Sequence, residues 1–184
     1  MDLNYGSEYE TFRFEVRAFL EEHKGSVSGS IGVGGRPDAS VRTWQQLLIE
    51  KGYAARTVPR EYGGYGASPD LLARIVIDSE FARAGVSRGI SGQGPDMLVP
   101  TLLEHGSEGQ RKNWIKPTLK GDIVWCQGYS EPESGSDLAS VTTRADLDGD
   151  EYVVNGQKVW TSSAQYSDMM FCLVRTDQEA EKHA

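Results

Sequence analysis

Near residue 122 the spacing of apolar residues changes, and that change limits the chain to folds with helices first and strands second. Before it, apolar side chains recur three and four positions apart, as in Tyr9, Phe12, Val16, Phe19 and Leu20. After it they run together or alternate, as in residues 123–129. A helical stripe and a strand face must each be buried against a partner of matching geometry. The pattern therefore predicts an α+β chain: an all-α helical bundle over residues 1–121, then an antiparallel β-domain over residues 122–184.

Within the first part, five helices are expected. The first covers residues 7–23, with Ser7 as N-cap and Glu10 placed to complete a capping box. Residues 25–40 are rich in Gly and Ser and read as a loop. Its glycines, Gly29, Gly32, Gly34 and Gly35, do not make a phosphate loop, because no strand precedes them and no Gly-Lys-Ser/Thr follows. Ser40 starts a second helix, with Trp44, Leu47 and Leu48 inward and Gly52 at its end. A turn over residues 58–66 follows. Pro69 then occupies the first position of a third helix. Leu71, Leu72, Ile75, Val76 and Phe81 make that helix apolar on more than one side, which suits the centre of a bundle. A fourth helix runs from Asp96 to Glu104. Ser107 and Gln110 form the capping box of a fifth, which Gly121 closes.

Strands are expected over residues 123–129, 141–147, 151–154, 157–163 and 169–176. Asp148-Gly149-Asp150 and Asn155-Gly156 supply hairpin turns. The sequence then ends in a charged stretch without a closing strand, which would leave a sheet edge open.

Charge and motif content narrow the function. The net charge of -8 argues against a nucleic-acid backbone or an anionic membrane surface as partner. No apolar run approaches the roughly 20 residues that span a bilayer. Residues near the N-terminus lack the basic-then-apolar pattern of a secretory signal. The two cysteines, Cys126 and Cys172, lie in apolar surroundings and read as buried free thiols. An intracellular, cytoplasmic, soluble protein is the expectation. His23, His105 and His183 are far apart and carry no metal-binding spacing.

The chemistry-bearing stretch runs from Trp125 to Asp137. It begins as a strand and ends as a loop of small hydroxylated residues. Ser130, Ser134 and Ser136 offer hydroxyls, and Gly135 allows close approach of the backbone to a ligand. Loop amides of this kind suit an anion such as a diphosphate. Further on, Trp160-Thr161-Ser162 sets an aromatic surface beside two hydroxyls, a pairing that suits a planar heteroaromatic ligand. The same residues also fit an ordinary Ser/Gly turn with Trp160 in the core.

Four segments carry a resemblance. Pro59-Arg60-Glu61-Tyr62-Gly63-Gly64, Leu102-Leu103-Glu104-His105-Gly106-Ser107, Gln127-Gly128-Tyr129-Ser130-Glu131-Pro132-Glu133-Ser134-Gly135-Ser136-Asp137 and Asn155-Gly156-Gln157-Lys158-Val159-Trp160-Thr161-Ser162 appear in this order. Together they resemble the acyl-CoA dehydrogenase family across nearly the whole chain. The resemblance implies FAD as cofactor, an acyl-CoA thioester as substrate and an electron-transfer flavoprotein as redox partner. It implies a homo- or hetero-oligomer when complete. It also implies an incomplete β-barrel here, with a C-terminal helical domain absent.

For individual residues the resemblance implies that Gln127, Tyr129 and Ser130 line the flavin. Gly135 and Ser136 lie in the loop that touches the FAD diphosphate or the acyl-CoA, which makes Ser136 a substrate contact as well. Trp160 packs on the isoalloxazine, Thr161 lies beside it, and Ser162 hydrogen-bonds the ring edge near N5. The family reaction is α,β-dehydrogenation of the thioester. Its catalytic glutamate belongs to the C-terminal helical domain, so no residue of this chain is assigned as the base, Glu131 and Glu133 included. Glu133 is expected to point outward, since a carboxylate facing a diphosphate would repel it. Flavin oxidases and monooxygenases share this scaffold and remain alternatives, as does a non-catalytic partner subunit.

Overall fold

The computed structural model of the chain describes residues 5–23, 25 and 35–180. The glycine-rich segment read as a loop lies largely outside them, as does His183. The chain divides between Asp122 and Ile123 into two compact units, and each is described on its own.

The first unit is helical, with α1 Ser7–His23, α2 Ala39–Glu50, α3 Leu71–Ala84, α4 Val99–His105 and α5 Glu108–Lys120. Val16, Phe19 and Leu20 of α1 pack with Trp44 and Leu48 of α2, Tyr53, and Ile77 and Phe81 of α3. The rings of Phe19 and Trp44 stack at 5.6 Å between centroids, and Tyr53 meets Phe19 at 4.9 Å. Aromatic contacts of this kind add to the area they bury. A second cluster joins Ile49, Val58 and Tyr62 to Val99, Ile115 and Leu119. Buried Gln45 spans from α2 to two other segments: it donates to the Leu119 carbonyl at 2.9 Å and accepts from the Ile90 amide at 2.8 Å.

The ends of the helices correct several expectations. Ser7 lies inside α1, and the amide of Glu10 bonds the Gly6 carbonyl instead of completing a box. Asp38 caps α2 through the Val41 amide, with Ser40 bonded to its carboxylate. Asp70 caps α3 through Ala73, so Pro69 precedes the helix. At the starts of α2 and α3 an aspartate carboxylate thus accepts the orphan amide. The predicted Ser107–Gln110 box is present on α5, and Gly121 ends that helix in a left-handed conformation. The chain before α4 is helical from Gln93, as a π-helical turn to Leu98. Helix α3 buries one face only, with Leu71 and Ile75 exposed.

The Pro59–Gly64 motif proves to be a packing device. Tyr62 is buried, and its hydroxyl donates to Glu108 at 2.8 Å. A Cβ at Gly64 would collide with the backbone and side chain of Val58, so the turn closes only with glycine there.

The second unit contains β1 Trp125–Gly128, β2 Arg144–Asp148, β3 Glu151–Asn155 and β4 Met169–Cys172. β2 and β3 form the predicted antiparallel hairpin, with Asp148 opposite Glu151. β1 pairs with β4 in parallel, Trp125 opposite Met169 and Gly128 opposite Cys172, where an antiparallel partner was expected. The chain between them is long enough for such a crossover. No closed barrel forms among the described residues. The predicted strand over residues 157–163 is absent. Its residues form a loop in which Trp160 (φ 56°) and Ser163 (φ 68°) adopt left-handed backbone angles, and these cannot continue a strand. Cys126 is buried as expected, whereas Cys172 is exposed.

Beyond packing, α1 and α3 are tied by charge. Glu80 is 2% exposed at its side chain and accepts from Arg13, Arg17 and Arg83, each at 2.8 Å. The Arg17 hydrogen bond first, then those from Arg13 and Arg83, outweigh burial and lower the Glu80 carboxyl from 4.5 to about 2. Replacing Glu80 by alanine is expected to cost on the order of 2–3 kcal/mol, below the full value for a broken buried pair because Arg17 and Arg83 can reach water. The folded-state value lies below the unfolded one. The contribution is therefore complete above about pH 4.5 and lost as pH falls toward 2. Urea unfolding of both forms at pH 7 and pH 3 measures it: the gap between them should narrow at pH 3.

Candidate functional site

β1 leaves the sheet at Gly128, where a Cβ would meet the sulfur atoms of Met170 and Cys172. Tyr129 follows, with its ring edge-on to Phe171 at 5.8 Å and 89°. Ser130 comes next, then Glu131. Backbone hydrogen bonds between Glu131 and Ser134, at 2.7 and 3.1 Å, close a tight turn around Pro132 and Glu133. The Ser134 hydroxyl donates to the Asp137 carbonyl at 2.8 Å. Ser134, one of the hydroxyls read as available to a ligand, is therefore 2% exposed and committed to the loop itself. Glu133 is exposed, as its charge demands.

The centre of the unit is Glu131, 5% exposed. One carboxylate oxygen accepts from the amide and hydroxyl of Thr142, at 2.7 and 2.8 Å. The other accepts from the Thr143 amide at 2.9 Å and from Lys158 Nζ at 2.8 Å. Burial pushes this carboxyl upward, but Lys158 and the threonine donors outweigh it and hold it well below the usual carboxylate range. A buried charge is tolerable only when paired and hydrogen-bonded in this way.

Lys158 also donates to the Tyr129 carbonyl at 3.1 Å, and the Val159 amide donates to the Ser130 carbonyl at 2.9 Å. These bonds bring the two halves of the predicted site together. Tyr129 and Ser130 lie beside the segment that leads into Trp160, Thr161 and Ser162. Trp160 is 90% exposed, so it is not a core residue. Gln127 is half-buried in β1 opposite Phe171. Gly135 and Ser136 lie exposed at the loop tip, and a Cβ at Gly135 would meet nothing within 4 Å. Among the described residues, the hydroxyls of Ser130, Ser136 and Ser162 take no protein partner.

Glu131 and Lys158 lie inside the two motifs quoted above, yet sequence reasoning did not pair them. They are 27 positions apart. The available signal was a lone lysine among hydroxylated and apolar residues, a weak one in a single sequence. Thr142 and Thr143 carried no signal at all.

The family model "Acyl-CoA dehydrogenase, N-terminal domain" matches residues 6–122, and "Acyl-CoA dehydrogenase, middle domain" matches residues 126–184. The chain belongs to the acyl-CoA dehydrogenase family. Acyl-CoA dehydrogenase IpdE1 of Mycobacterium tuberculosis is 39% identical, covering 95% of this chain and 46% of that protein. Mitochondrial isovaleryl-CoA dehydrogenase of Bos taurus is 28% identical over 94% of this chain and 40% of its own length. Among solved structures, the Tcur3481-Tcur3483 steroid ACAD matches with a TM-score of 0.73 at 36% identity, over 100% of this chain and 47% of that one. The ChsE4-ChsE5 complex from Mycobacterium tuberculosis gives 0.69 at 32% identity, over 100% and 46%. The chain spans about half the length of the curated relatives it matches.

Among the described residues there is no cluster of His, Cys, Asp and Glu able to hold a metal. None of their helices is long and apolar enough to cross a membrane.

Glu131→Ala leaves the Lys158 ammonium, 9% exposed, without its counter-charge. The expected loss is about 3–5 kcal/mol for the β-unit, read as a fall in its urea midpoint. Glu131→Gln, which keeps an acceptor for the threonine donors, should lose less.

Proposed function

We propose that this chain builds one wall of the FAD and acyl-CoA site of an acyl-CoA dehydrogenase acting by α,β-dehydrogenation of a thioester. The observation that carries the reading is Trp160: a bulky aromatic side chain in a left-handed backbone conformation, 90% exposed, next to the residue bonded to Ser130. Such a conformation costs energy in a residue of this size. A ring displayed at that cost in open space fits a planar ligand packing onto it.

The donor set fits FAD. Thr161 and Ser162 follow the exposed ring in sequence, and Ser130 is tied to the residue before it by the Val159 amide at 2.9 Å; all three carry neutral hydroxyls suited to ring heteroatoms. Gly135 and Ser136 present an open backbone and a hydroxyl suited to a diphosphate or to the acyl-CoA. Gln127 and Tyr129 line the approach from β1. Bound FAD would supply the acceptor for the hydride leaving the substrate β-carbon. This chain's residues would orient the ring and the thioester and exclude water from one side. Glu131 does not serve as the base, because a carboxylate held by Lys158 and two threonines has no lone pair to spare for a substrate C–H. The family resemblance assigns the base to a residue outside those described, and on that reading the chain by itself is expected to show no turnover.

A second reading is favoured by the solved relatives whose names pair two chains, one of them a complex. In it, this chain is one subunit of a hetero-oligomer whose site another polypeptide completes. Reduced flavin would pass its electrons to an electron-transfer flavoprotein in either case.

FAD titration of the purified protein, followed by quenching of tryptophan emission, tests the wall. Trp160→Ala should weaken FAD binding about tenfold, the scale of losing one aromatic stacking contact worth about 1.4 kcal/mol. Unchanged affinity would remove Trp160 from the site.

A further inference from the structure

We propose that the buried Lys158–Glu131 pair is a positioning element that fixes Trp160, Ser130 and the Ser136 loop relative to one another. The proposal rests on the flavin-wall reading above.

Three chain segments carry the proposed flavin contacts: residues 129–130, the loop 132–141, and residues 160–162. No strand ladder connects the third to the first, since residues 157–163 form a loop. Three bonds replace it: Lys158 Nζ to the Tyr129 carbonyl at 3.1 Å, Lys158 Nζ to Glu131 at 2.8 Å, and the Val159 amide to the Ser130 carbonyl at 2.9 Å. Ser130 is thus flanked on both sides by residues that Lys158 holds. The lysine stem enters the interior while Trp160, two positions on, turns outward at φ 56°.

Glu131 extends the same constraint to the loop. It stands at the loop's start and takes three hydrogen bonds from Thr142 and Thr143 at its end. The span bearing Gly135 and Ser136 is therefore closed on a single carboxylate, and that carboxylate is paired with Lys158. Each proposed contact lies within about one loop of this ion pair.

Stability alone does not account for it. A buried ion pair is often matched or exceeded by apolar residues of similar volume. What an apolar pair cannot do is hold several backbone carbonyls and amides at fixed distances from one point. That property is what a ligand site needs from the residues behind it.

The test uses the FAD-loaded protein and three variants: Glu131→Gln with Lys158→Met, Lys158→Arg alone, and Trp160→Ala. FAD affinity, the position of the flavin long-wavelength absorption band, and the urea midpoint are measured for each. The paired variant is expected to bind FAD about tenfold more weakly and to move the band toward that of free FAD. A general loss of stability would lower the midpoint without moving the band of the flavin that remains bound. FAD affinity within twofold of the parent, with an unmoved band, overturns the proposal. If the paired variant does not fold, Lys158→Arg decides. Its charge is kept, but its planar guanidinium is larger than an ammonium and cannot keep the bonds to Glu131 and the Tyr129 carbonyl at 2.8 and 3.1 Å without moving one of them. A shifted band supports the proposal, and an unshifted band with parental affinity overturns it. Trp160→Ala separates the two levels: no effect there defeats the flavin-wall reading, whereas an effect there but none at the pair defeats the positioning role alone.

Discussion

The β-unit depends on one carboxylate. Glu131 is removed from water, yet stays ionised because four donors converge on it. Two are backbone amides at the start of the Thr142–Thr143 segment, one is a threonine hydroxyl, and one is an ammonium from a segment 27 residues away. A unit this small has few buried apolar side chains: Trp125, Cys126, Val141 and Ala145 are the described ones. A core of that size cannot fix long loops by burial alone. A buried anion can, because leaving any of its partners unmade is costly.

The helical unit solves a related problem with Glu80, and the difference is informative. Glu80 binds three arginines whose exposures run from 16% to 53%, so its partners can exchange protein for water as the helices shift. Its backbone environment is already helical and needs no help from it. Glu131 instead holds backbone amides and, through Lys158, a backbone carbonyl. Glu80 staples side chains between two helices; Glu131 sets the path of the main chain.

The helices were legible because their period is local and repeated, as in Val16, Phe19 and Leu20, which are buried as the spacing demands. Their caps were partly misread. Ser7, Ser40 and Pro69 fit the rules, but carboxylates at Asp38 and Asp70 competed for two of the ends and won. The hairpin around Gly149 was legible for the same local reason. The parallel pairing of β1 with β4 was not, since partner choice between distant strands leaves no mark in either strand's own sequence. The residues 157–163 looked extended from composition, and the left-handed Trp160 escaped notice because no glycine marks the position. Of the candidate site, the hydroxyls and the tryptophan are proposed from their motifs. The ion pair behind them is not, because it is defined only by the fold.

That asymmetry has a physical reason. Residues that face a ligand are constrained by the ligand's chemistry, which is the same wherever it occurs, so they form short readable patterns. Residues that hold them are constrained by geometry, and many donors or acceptors could do the work if the distances were right. Trp160 illustrates the dependence. A tryptophan free to choose would leave the left-handed region and turn its ring onto apolar surface. It remains there, exposed, because the preceding two residues are fixed: Val159 by its bond to Ser130 and Lys158 by Glu131. The conformation of the most exposed large apolar residue described in the unit is thus set by the charge of one of its most buried residues.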